Sequence, residues 1–368
     1  MRGREDKQRS MFVVGDLYSL VEKRIPADDP LRRIKQFADR VLASLSDEFE
    51  RLYASTGRDS IAPELLLRAL LWQAMFSIRS ERQLEATLQF DLRCRWFVGL
   101  PLGDDAWDHS TFSKARDSFL LQELSHRFFE RQVEFLRAED LLSSEHLSVD
   151  GTLLAAWASH KSLVSKDDLD DDGNPPPPPS GGRNGWVDFK GEKRSNATHV
   201  SATDPDAKLA SKGTGAKLSH EMSVLSENRN NFAINFTVSA PSGTSEREDA
   251  ATLVNIEAMR GRKPETVGGD RKYSDGDALV LVLASLGVTP HFAVRDDRPN
   301  ALARLFHDDP GYSISIRCRM RIEEIFAYIK GVAAIAKVKV RGLTRVLGVA
   351  AIALAAYNLR RHASLRAA

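Results

Sequence analysis

The chain has 368 residues, 42% hydrophobic and 28% charged, enough for at least one sizeable buried core and for two domains or one domain with additions. A formal net charge of +1 excludes a uniformly basic or acidic protein, but the charge is uneven: residues 311–368 carry eleven Lys or Arg against two acids, and five of the six residues 167–172 are Asp. Two cysteines far apart, Cys94 and Cys318, exclude a disulfide framework and a cysteine-based zinc site.

At the N-terminus Met1–Ser10 is charged and the apolar run Met11–Val14 is too short for a signal peptide, so a cytoplasmic protein is expected. From Leu31 to about Leu141 the pattern is helical. Ile34, Phe37, Val41 and Leu45 mark one helix face, and Leu65, Leu66, Ala69 and Leu70 a second, mostly buried helix with Pro63 in its first turn. Ser80 with Gln83 makes a capping-box start for a helix to about Phe90, and another helix starts at Ser110 or Thr111. This order accommodates a helix-turn-helix with Lys114 and Arg116 available to DNA, or a helical oligomerisation or packing domain; the spacing leaves both open.

Around Leu147 the period changes to two: Leu147 and Val149 point one way, Ser148, Asp150 and Thr152 the other. A polar stretch follows, and its Pro- and Asp-rich part, at about 164–184 with five consecutive prolines, is expected to be a disordered loop. Strands resume at Leu218–Leu225 and at Phe232–Val238, paired as a hairpin across Asn228–Asn231. A helix from Ser245 to Met259, a short strand ending at Asp270, a helix over Ala278–Leu286, a strand at His291–Val294 and a helix over Met320–Ile329 complete a mixed α/β pattern. The Ala-rich segment Val346–Leu359 is shorter than a bilayer span and predicts a buried terminal helix, not a membrane segment.

Asp150 interrupts an apolar strand, where an unpaired carboxylate is costly, so it requires either a cation partner or a metal shared with other acids. Asp270 follows Gly268 and Gly269, although Asp275 and Asp277 show that this stretch also collects turn acids. On the last helix, Glu323 flanks the stripe of Ile322, Ile325, Phe326 and Ile329, whereas Glu324 points nearly opposite it. Arg319, Glu323 and Lys330 share one side, which reads either as a site or as a surface ion-pair ladder. Three carboxylates on separate elements of one sheet are what two Mg²⁺ ions need, and such a pair drives in-line attack at phosphorus.

Several stretches in order, "RSERQLEATLQFDLRCRWFVGL", "DHSTFSKAR", "SVDGTLLAAWASHKS", "DFKGEKRSNATH", "GGDRKY" and "RIEEIFAYIK" with its basic sequel "VKVRG", resemble the DDE-superfamily transposases of bacterial insertion sequences, in particular the insertion-sequence-five-like group. The resemblance spans nearly the whole chain. It implies a helical domain over 1–141 that binds terminal inverted repeats. Over 142–368 it implies an RNase H-like catalytic domain with a mixed five-stranded sheet and a C-terminal helix. It further implies Asp150, Asp270 and Glu323 as catalytic metal ligands, two Mg²⁺ ions with Mn²⁺ as a substitute, and Arg319 and Lys330 as signature cations. Lys193, Arg194 and His199 would lie near DNA phosphates, as would Lys337, Lys339 and Arg341. The implied partner is double-stranded DNA, both inverted-repeat ends and target. A homodimer on DNA follows from the need to pair two ends, and a nucleoid-associated bacterial location from the substrate. Two other readings stand beside it: an RNase H-like nuclease without strand transfer, and a catalytically silent or domesticated DNA-binding protein.

Overall fold

The computed structural model describes residues 21–52, 60–121, 123–171, 194–213, 215–297 and 300–366. It divides into two compact units, one holding the described residues up to Leu141 with Ala327–Ala334 and those from Gly348 on, the other holding Leu142–Phe326 with Ile335–Leu347.

The first unit is helical: α1 (Pro30–Ala43), α2 (Ser46–Leu52), α3 (Pro63–Met75), α4 (Glu81–Phe90), α5 (Leu92–Val98), α6 (His109–Leu121) and α7 (Leu124–Ala138). Asp29 caps α1 by accepting from the Leu31 amide at 2.8 Å, and the helix buries Ile34, Phe37 and Val41 as its spacing predicts. Nearly all of α3 is buried, including Arg68, whose charge is met by Asp39 at 2.8 Å and by the Val98 carbonyl at 3.1 Å. Ser80 caps α4 through the Gln83 amide, at 3.2 Å. The cap of α6 is Asp108, not Ser110 or Thr111: its carboxylate accepts from the Ser110 amide at 2.9 Å. A carboxylate takes a helix-end amide more strongly than a hydroxyl does.

The Ala-rich helix expected within the sheet domain is α13 (Leu343–Leu365), and from Gly348 on it groups with the helical unit. Packing explains the change. A Cβ on Gly348 would lie 2.7 Å from Leu120, His362 stacks on Phe37 at 4.2 Å, and Gln132 donates to the Ala355 carbonyl at 3.2 Å. This helix is long and apolar enough to cross a membrane, but 67% of its apolar window is buried inside the protein.

The second unit is a mixed α/β sheet. Its strands are β1 (His146–Ala155), β4 (Lys208–Ala210), β5 (Lys217–Glu227), β6 (Ala233–Ser239), β7 (Thr266–Gly269) and β8 (Thr289–Phe292), while β2 (Leu163–Ser165) and β3 (His199–Ser201) form a separate two-stranded ribbon. The order is β4-β5-β1-β7-β8, with β6 also on β5; β5 runs antiparallel to β1 and β6, and β7 parallel to both β1 and β8. Among the described residues the sheet has six strands where five were expected, because β4, three residues long, is too short to show a period. The loop expected at 164–184 likewise begins as structure: β2 and a 3₁₀ turn over Lys166–Asp168 are ordered by pairing with β3, and 172–193 lie outside the described residues.

The β5–β6 hairpin is closed by Glu227, fully buried, which accepts from the amides of Arg229 and Asn230, each at 2.8 Å, and of Phe232 at 3.0 Å. Helix α8 (Ser245–Met259) packs against β5, β6 and β1, and α9 (Ala278–Ser285) against β8 and α8. After α10 (Ala301–Arg304), α11 (Tyr312–Arg319) crosses β1, β7 and β8. The last acidic helix thus starts earlier than its apolar stripe suggests and breaks at Met320–Arg321 before α12 (Ile322–Ala327).

Candidate active site

Asp150 lies mid-strand in β1 with 8% of its surface exposed. Its carboxylate accepts from the Gly151 amide at 2.7 Å and faces an Arg319 guanidinium nitrogen at 3.5 Å. Burial, reinforced by the charge of Asp270, pushes its pKa up to about 6 against the Gly151 amide hydrogen bond and the pull of Lys212 and Arg319. The two aspartates meet because β1 and β7 are parallel neighbours. Ser148 pairs with Gly268, and extending that register by two residues brings Asp270, just past the end of β7, level with Asp150 on the same face.

Glycines make room for this approach. A Cβ on Gly269 would lie 2.8 Å from the Phe292 ring and 2.9 Å from that of Tyr273, both fully buried. Asp270 in turn caps the 3₁₀ turn Arg271–Ser274 by accepting from the Lys272 amide at 2.8 Å, which fixes the direction of its carboxylate. Above the same face runs α11: a Cβ on Gly268 would find the Ser315 carbonyl at 3.4 Å and the Arg319 Cβ at 3.6 Å.

Glu323 follows Arg319 by four residues, beyond the break between α11 and α12, and is exposed. Glu324 is exposed as well, so burial does not separate them. Bonding does: Glu324 accepts from the Asn231 amide nitrogen at 3.2 Å, whereas the Glu323 carboxylate has no hydrogen bond or ion pair among the described residues. The structure therefore brings Asp150 and Asp270 together and leaves Glu323 on the next helix, uncommitted.

A second acidic group lies across β1 and has no counterpart in the sequence reading. Gly151 faces α8 so closely that a Cβ there would lie 2.9 Å from the Glu246 side chain. Glu246 pairs with Lys212, whose ammonium also donates to the Gly151 carbonyl at 2.6 Å, and with Lys272 at 3.4 Å. It thus ties the loop before β5 to the turn that carries Asp270. Burial alone would raise the Glu246 carboxyl; Lys212 and Lys272 more than offset it and hold it below the usual range. Neighbouring Glu221, hydrogen-bonded by Ser245, is pushed by burial and the Glu246 charge up to about 7. Tyr273, fully buried, has its hydroxyl pushed well above the usual range by burial and then by Asp150, Glu246, Asp270 and Glu221, and that oxygen has no hydrogen-bond partner among the described residues. The polar alternation Ser219, Glu221, Ser223 in β5 was the available signal for this group.

The remaining candidates are dispersed. Lys114 is exposed on α6, but Arg116 is committed to Glu81 and, at 2.8 Å, to Asp117. Lys193 lies outside the described residues; Arg194 donates to the Leu163 carbonyl at 3.3 Å, and His199 is buried against the Thr198 hydroxyl at 2.8 Å. Lys330 groups with the helical unit. Lys337, Lys339 and Arg341 are exposed along the segment that follows. In the helical unit Glu85, Asp108 and His109 are the one triple of potential metal-ligand atoms within 4.8 Å of one another among the described residues; there Asp108 is the helix cap and Glu85 accepts from the His109 amide at 3.1 Å.

Residues 19–118, which include α1 to α5 and most of α6, match a family model described as a transposase domain (DUF772). This match supports a transposase. No curated protein and no solved structure matches the chain.

Proposed function

We propose that the chain is a DNA transposase of the DDE superfamily, insertion-sequence-five-like, which cleaves at the terminal inverted repeats of its element and joins the 3′-hydroxyl ends to target DNA. The observation that carries this reading is the pair Asp150, on β1, and Asp270, just past the end of the parallel neighbour β7, close enough for one charge to raise the other's pKa, in a chain whose N-terminal region matches a transposase domain. The order β6-β5-β1-β7-β8, with the first pairs antiparallel and the last parallel, is consistent with an RNase H-like catalytic core.

The donor set fits hard divalent cations: the ligand atoms are carboxylate oxygens, and their mutual repulsion and burial are relieved by positive charge. Asp150, Asp270 and Glu323 would hold two Mg²⁺ ions, with Mn²⁺ as a substitute. Bound there, the metal ions would lower the pKa of the attacking water or 3′-hydroxyl and stabilise the leaving oxygen in an in-line displacement. Arg319 faces Asp150 and partly offsets its charge, and would offer its guanidinium to a phosphate oxygen once the metal ions are bound. Glu246, through Lys272, keeps the Asp270 turn against β1.

The test is cleavage of DNA carrying the inverted repeats that flank the gene, with Mg²⁺ or Mn²⁺, followed by strand transfer from a pre-cleaved end. Wild type should nick and join, and Asp150→Asn should bind the ends without nicking. Binding without nicking by the wild type would establish the silent DNA-binding reading instead, and nicking without joining the nuclease reading.

A further inference from the structure

The strand that carries Asp150 continues to Ala155, about 17 Å away at ~3.3 Å per residue. Just past its end Trp157 is left 43% exposed. Its indole is held in place, because the Lys337 ammonium sits 5.0 Å from the ring centroid. Lys337 is itself fixed by backbone pairing to β1: the Ala155 amide donates to the Ala336 carbonyl at 2.9 Å, and the Val338 amide to the Ala155 carbonyl at 3.0 Å. From there the segment alternates. Val338 and Val340 are buried, whereas Lys337, Lys339 and Arg341 are exposed.

We infer that Trp157, Lys337, Lys339 and Arg341 form a docking surface for a single-stranded stretch of DNA, in which one unpaired base stacks on the indole and the cations hold the flanking phosphates. The inference rests on the reading of the chain as a DNA-cleaving transposase and adds that the strand leaving the acids is unpaired where it passes Trp157. An aromatic ring beside three exposed cations, with no acid among residues 337–341, suits a polyanion whose subunits have a π-face. Intact duplex meets only half of this arrangement, since its base faces are already stacked. The stacking is sequence-tolerant because every base offers a ring.

The experiment compares two DNA probes bound to the full chain in Ca²⁺ buffer, a blunt duplex and the same duplex with a 3′ single-stranded tail containing 2-aminopurine. Wild type should favour the tailed probe and quench its fluorescence. Trp157→Ala should weaken tailed-probe binding by about 5- to 100-fold and abolish the quench while leaving blunt-duplex binding and the unfolding midpoint unchanged, and Trp157→Phe should restore most of the loss. Replacing Lys337, Lys339 and Arg341 together by Ala should weaken both probes and flatten the salt dependence. The inference is overturned if Trp157→Ala binds both probes as wild type does, or loses both equally. A wild-type chain that binds neither probe would sink the DNA reading itself, a separate outcome from loss of the tailed-probe preference alone.

Discussion

Asp150→Asn should make the protein more stable while destroying its proposed activity. The Asp150 carboxyl moves from 3.8 to about 6 on folding, so between those values the folded state holds a proton that the unfolded chain has released. Stability therefore falls as pH rises through that window, and above it the full cost of keeping a charge beside Asp270 in a buried strand is present. At about 1.4 kcal/mol per pH unit, that cost is about 3 kcal/mol at pH 7.5 and about 1 kcal/mol at pH 4.5. The displacement already contains the opposing pull of Lys212 and Arg319. Urea unfolding of both proteins in EDTA, at the two pH values, measures the difference. The variant should gain about 2 kcal/mol more at pH 7.5 than at pH 4.5, and added Mg²⁺ should stabilise the wild type alone. An unchanged midpoint at pH 7.5, or an equal gain at both pH values, would refute the account of Asp150 as a charge held against its own desolvation.

Three further outcomes follow from the same geometry. Glu323→Gln should abolish metal-dependent cleavage and Glu324→Gln should retain most of it, since only Glu324 is engaged elsewhere; the reverse ranking in a nicking assay would mean that the metal site uses the wrong helix phase here. Gly269→Ala should lower stability by about 1–3 kcal/mol in denaturant unfolding, because the new methyl meets two fully buried rings; a neutral result would show that Phe292 or Tyr273 can move aside. Tyr273→Phe, which removes a buried hydroxyl without a partner among the described residues, should raise stability by about 1 kcal/mol, and a loss would reveal a bond to that oxygen.

Much of the fold was legible because it rests on local signals. The apolar spacing of 34–45, the Pro63 and Ser80 helix starts, the period-two run at Leu147 and the Asn-rich turn before Phe232 all specify their elements within a few residues. Elements without such signals were missed or shifted: β2 and β4 are three residues long and exist by pairing, and the cap at Asp108 depended on which of several adjacent polar side chains reached the helix amides.

What the sequence by itself determined about the candidate site is that Asp150, a lone acid in an apolar strand, needs a partner, a cation or a metal shared with other acids. It could not determine that Asp270 lies level with it, because that depends on the parallel register of β1 with β7, set by strands far apart in the chain. Nor could it show Glu221, Glu246, Lys212 and Lys272 closing around Gly151, since each alone reads as an ordinary surface charge. Only the tertiary structure decided these, because a carboxylate's pKa and partners are set by what surrounds it in space, and the sheet draws those surroundings from β1, β5, β7 and α8 at once.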